Sequence, residues 1–122
     1  MFNIRSSIAA LAGLLLASSA PAMSAAEFLG KVDALKAKGP FALFSSDIGV
    51  LKKEGEVAVR GWYAQAKPPG QKPNACPPKQ KIDIGQSEFL GYLQAVPSHQ
   101  RASTSVTQAV TVALNRKYAC PA

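Results

Sequence analysis

Two cysteines, Cys76 and Cys120, are all that this chain of 122 residues contains, and each is followed by proline. In an exported protein both thiols meet an oxidising compartment and form one disulfide. Closing a loop of that length restricts the unfolded chain by about 4 kcal/mol in the entropic account. That is comparable with the whole net stability of a marginal small domain. The enclosed stretch, CPPKQKIDIGQSEFLGYLQAVPSHQRASTSVTQAVTVALNRKYAC, therefore dominates what the chain can become.

Export is the condition, and the first 26 residues supply it. Arg5 and the terminal amine make a positive start, Ile8 to Ala17 is an uncharged apolar run, and small residues follow. Ala20-Pro21-Ala22 and Ser24-Ala25-Ala26 both satisfy a signal peptidase; the reading adopted is a signal peptide over 1–26 and a single helical domain over 27–122. Ser18, Ser19 and Pro21 interrupt the apolar run well short of the ~20 residues that span a bilayer. No later segment is long and apolar enough to span, so no membrane span is expected after signal removal. The expected location is periplasmic or secreted.

Charge narrows the partners. The chain carries 14 basic and 7 acidic residues, a net charge of +7 that falls to +6 once Arg5 is removed. Such an excess favours anionic neighbours, an acidic protein or envelope polymer. A nucleic-acid partner is not expected, because no recognisable binding motif is present.

The periodicities are helical throughout. Phe28, Val32 and Leu35 mark a first helix over Ser24–Lys38, stopped by Gly39-Pro40, with Ser24 and Glu27 spaced as a capping box. A short apolar turn, Phe41 to Phe44, precedes Ser45-Ser46-Asp47, a good helix start. From Ile48 to about Ala66, one face carries Ile48, Leu51, Gly55, Ala58, Val59 and Trp62, with Trp62 as a core anchor. Gly49, Gly55 and Gly61 are poor helix formers, and close backbone packing is the expected reason for them. Lys67 to Gln80 holds five of the nine prolines and three lysines, with Lys81 just beyond; it is a loop.

Inside the cysteines, Asp83 can cap a helix that carries Phe89, Leu90, Leu93 and Val96 and stops at Pro97. Ser103 or Thr104 can cap a last helix with Val106, Val110, Ala113, Leu114 and Tyr118 on its apolar face. The fold class expected is therefore all-α, a small disulfide-closed bundle of about four helices.

Catalytic chemistry is not signposted. His99 is the single histidine, set in a polar connector, and the cysteines are committed to each other. Two cysteines and one histidine fall short of a zinc ligand set, and no nucleophile, metalloprotease or phosphate-loop motif occurs. The chain is read as not an enzyme, without cofactor or metal.

Cys76-Pro77, Gly85, Phe89-Leu90-x-x-Leu93, Pro97, Ala109 with Ala113-Leu114, and Tyr118-Ala119-Cys120 together resemble the Rap/Tai-type immunity protein domain. The likeness covers residues 76–120; the family's further cysteine pair has no counterpart in Ile48 to Ala66. The resemblance implies an all-helical, often dimeric periplasmic protein that neutralises peptidoglycan-amidase toxins delivered by type VI secretion. The expected partner is then another protein, an acidic toxin, with a homodimer also open. Candidate contacts are Tyr63, Tyr92 and Arg101, residue types favoured at interface hot spots, with Lys72 and Lys79 at the rim. Two alternatives are an HdeA-type acid-stress chaperone, which the small number of carboxylates disfavours, and a basic envelope-binding protein using Lys67 to Lys81.

Overall fold

Helix α1 (Ala25–Lys38) opens the domain in the computed structural model, which describes residues 22–121. A 3-10 turn (Gly39–Phe44), α2 (Asp47–Ala66), α3 (Gln86–Gln94), a second 3-10 turn (Ser98–Gln100) and α4 (Val106–Lys117) follow. The expected four-helix, all-α class is what forms; among the described residues the nearest thing to a strand is an isolated antiparallel bridge between Ser24 and Ser105. Most of the expected signal segment, residues 1–21, lies outside the described residues.

Local chemistry sets the helix ends. The Ser24 hydroxyl accepts the Glu27 amide at 3.0 Å and starts α1, and Gly39, at φ +58°, ends it where a side chain would be strained. Ser45 accepts the Asp47 amide at 3.2 Å at the head of α2, and Lys31 reaches the Asp47 carboxylate at 3.7 Å. Gly85 precedes α3 with no side-chain cap, so the cap expected from Asp83 does not form. At α4 the capping residue is Ser105, not Ser103 or Thr104. Its hydroxyl accepts the Gln108 amide at 3.0 Å, and the Gln108 side chain accepts the Ser105 amide at 2.8 Å. Ser105 has the extended backbone that a capping position needs, held by its bridge to Ser24. The hydroxyls of Ser103 and Thr104 donate instead to the Gln100 carbonyl.

The core forms mainly between α2 and α4, the most extensive helix pair. Leu51, Ala58, Trp62 and Ala66 are buried on α2, and Val106, Ala109, Val110 and Leu114 on α4. Trp62 is fully buried, as expected of an anchor, and lies 5.5 Å from the Tyr118 ring. Its indole N–H donates to the Asn115 Oδ1 at 2.9 Å, so its one polar atom is satisfied inside the core. α1 adds Phe28 and Val32, and α3 adds Leu93.

Cys76 and Cys120 are bonded, with Cα atoms 4.9 Å apart. The proline-rich segment is a loop, yet it is fixed at several points. Asn74 and Ala75 donate their amides to the Ala66 carbonyl at 2.7 and 3.2 Å, satisfying the end of α2, and Ala75 is buried. Cys76 donates its amide to Tyr118 O at 2.7 Å.

The glycines of α2 are a correction. A Cβ at Gly49 would meet nothing within 4 Å, while those at Gly55 and Gly61 would meet the Phe89 ring and a Thr107 methyl at ordinary contact distance. Close backbone packing does not explain them.

Candidate binding groove

Helices α1, α2 and α3 do not seal against one another. Between them, bordered also by the chain at Ile82 and Ile84, lies an open groove of about 1080 Å³. Phe28 and Phe89, 5.4 Å apart between ring centroids, form its base together with Val32 and Leu51. Leu35, Ile48, Val59 and Leu90 continue the apolar lining. It follows α2 from Ile48 to Tyr63, about 22 Å at the helical rise per residue.

At the mouth stands the Gly39–Phe44 turn. Phe41, Leu43 and Phe44 are 73%, 80% and 88% exposed, and Leu43 lines the groove. Three large apolar side chains on one short exposed turn are costly to leave in water, about 1.5–3 kcal/mol each against full burial. Leu43, with Gly39 and Ala42, borders a concavity that is itself apolar, which is the usual anatomy of a docking surface.

The groove's charged lining is one-sided: Lys36, Lys52, Arg60 and Lys81 against Glu56 alone, all exposed. Opposite charge on a visitor would meet complementary potential at little desolvation cost.

The five candidate contact residues do not gather here. Tyr63 does line the groove, 38% exposed, and its hydroxyl accepts the Ile82 amide at 3.4 Å, tying α2 to the bordering chain. Lys72 and Lys79 are exposed on the loop, outside the lining; Lys81 is the member of that basic run that reaches the groove. Arg101 closes the end of α3, donating from Nε to Val96 O and from Nη2 to Gln94 O, both at 2.9 Å.

Tyr92 is half-buried and donates its hydroxyl to the Glu88 carboxylate, which also receives Lys117 Nζ at 2.6 Å. Hydrogen bonds from Lys117 first, then Tyr92, hold Glu88 below the usual carboxylate range. Burial, then the Glu88 bond, pushes the Tyr92 phenol well above its ordinary value, and the bond to Glu88 raises Lys117. Tyr92 borders a second, smaller depression of about 770 Å³ with Val96, Thr107, Val112 and Arg116.

His99 is exposed in the second 3-10 turn, beside Gln100. Among the described residues no group of three or more His, Cys, Asp and Glu side chains could hold a metal, and no helix is long and apolar enough to cross a membrane.

The groove itself was missed in the sequence. One signal pointed to it: four consecutive apolar residues, Phe41 to Phe44, between Pro40 and Ser45, with no amphipathic partner to cover them. No known protein family, curated protein or solved structure matches the chain.

Proposed function

We propose that this chain is an exported protein-binding module whose groove takes an amphipathic helix with acidic flanks from another protein. The observation that carries this is the coincidence of an apolar floor with a basic rim along α2. Its length suits about four turns of a visiting helix, and helix-in-groove docking reads apolar anchors at i, i+3, i+4 and i+7. A second copy of this chain is disfavoured as the occupant, since it would bring the same excess of lysine to the same rim.

The resemblance of the Cys76–Cys120 stretch to Rap/Tai-type immunity domains supports a partner class: an acidic toxin acting on peptidoglycan in the periplasm. On that reading the exposed apolar turn inserts into the toxin while the rim attracts its carboxylates.

Fluorescence anisotropy with two synthetic 15-residue helices tests the docking chemistry. Both carry leucine on one face; one is flanked by glutamate and the other by lysine. The acidic peptide binds at least about tenfold more tightly at low salt and loses that advantage as salt rises. Leu43→Asp and Lys52→Glu, both on exposed side chains, weaken it. Equal affinity for the two peptides, or indifference to both substitutions, rejects the groove. A photo-crosslinker at Leu43 in toxin-exposed cells, with Val112 on the far depression as control, then tests the partner class; equal capture at both positions rejects it.

A further inference from the structure

We infer that the signal peptidase cuts between Ala22 and Met23, so that the mature domain begins at Met23 and not at Glu27. Both sites satisfy the peptidase's demand for small residues one and three positions before the cut: Ala20 and Ala22, or Ser24 and Ala26. The sequence reading adopts the later site, with the earlier one open. The fold separates them.

Met23 to Ala26 is built into the domain. Met23 O accepts the Val106 amide at 2.9 Å, Ala25 donates its amide to Thr104 O at 2.8 Å, and Ala26 donates to Arg101 O at 3.0 Å. Ser24 caps α1 through its hydroxyl, and its carbonyl accepts the Phe28 amide at 3.0 Å. Ala25 is fully buried, and the Ser24–Ser105 bridge sets the backbone from which α4 is capped. Hydrolysis after Ala26 would remove this segment. The first-turn amides of α1 and the first amide of α4 would lose their partners, and buried backbone groups left so are costly.

Hydrolysis after Ala22 leaves all of these hydrogen bonds in place. Water adds across the Ala22–Met23 peptide bond, leaving a carboxylate on Ala22 and a new α-amine on Met23. Ala22 is exposed, whereas every residue from Met23 to Ala26 is at least half-buried. The cut therefore spares every contact made by Met23 to Ala26. The inference is independent of the groove: it concerns where the domain starts, not what it binds.

The test is the full 122-residue chain expressed with export in a Gram-negative host, purified from the periplasm, and analysed by intact mass and N-terminal sequencing. A chain starting at Met23 is the expected result; one starting at Glu27, or an uncut chain, overturns the inference. Ala22→Gln abolishes the Met23 terminus, while Ala26→Gln leaves it in place. Loss of cleavage with Ala26→Gln overturns the inference as well. A chain produced from Glu27 melts roughly 10 °C or more below one produced from Met23; coincident melting curves would remove the structural reason for preferring the earlier site.

Discussion

Replacing both cysteines, Cys76→Ala with Cys120→Ala, isolates what the covalent link contributes. The bridge joins positions separated by 44 in sequence, and loop closure of that size corresponds to about 4 kcal/mol at room temperature. For a domain of about this size, that lowers the melting midpoint by roughly 20 °C. The folded ends have other reasons to meet: Cys76 donates its amide to Tyr118 O at 2.7 Å, and Ala75 is buried beside it. The effect should therefore reside in the unfolded chain. The double variant keeps wild-type helicity at 20 °C and unfolds with a steeper denaturant dependence, because its unfolded state is more expanded. Calorimetry and urea titration followed by circular dichroism give both quantities. A midpoint shift under about 5 °C, or a large shift with lost native helicity and an unchanged slope, would refute the argument.

Gly30→Ala, at an exposed mid-helix position where a Cβ meets nothing within 4 Å, stabilises by about 1 kcal/mol and raises the melting midpoint by roughly 5 °C. Gly39→Ala does the opposite, costing about 1 kcal/mol or more, because Gly39 sits at φ +58°. Trp62→Phe strands the Asn115 Oδ1 and opens a gap in the core; urea titration should show a loss of about 2–3 kcal/mol. With Glu88 lowered, its contribution is present above about pH 4.3 and is lost as pH falls through the folded value. Tyr92 and Lys117 are raised, so theirs is present below about pH 10 and is lost as pH rises through their folded values. Stability measured against pH is accordingly flat between about pH 5 and 9, and Glu88→Gln reduces the acid-side loss, which stays small because this cluster is solvent-accessible.

The helical content and the disulfide were legible because each rests on local rules. Leu51, Ala58 and Trp62 recur at helical spacing, and Cys76 has a single possible partner. The caps were legible only to within a residue or two. Ser103, Thr104 and Ser105 are equally able to cap, and the choice is made by the bridge from Ser24, a partner far away in sequence. The groove was hidden for a related reason. Ile48, Val59 and Leu90 belong to apolar stripes that would ordinarily be covered, and periodicity marks a face without saying whether another element reaches it. Arg101 and Tyr92, residue types common at interfaces, are engaged within the domain with a helix end and a carboxylate, partners that residue type alone does not reveal.

The dependence of the core on α4 has a consequence for how the chain comes together. Synthesis proceeds from the N-terminus, yet Val106, Val110 and Leu114, which complete the core around Trp62, follow α1, α2 and α3 in the chain. The same holds for Thr104, whose carbonyl accepts the Ala25 amide, and Val106, whose amide donates to Met23 O. Until that segment emerges, α2 lacks its most extensive packing partner, and pairing across such a sequence separation slows the closing step when it comes. The domain thus completes its core only once α4 has been made.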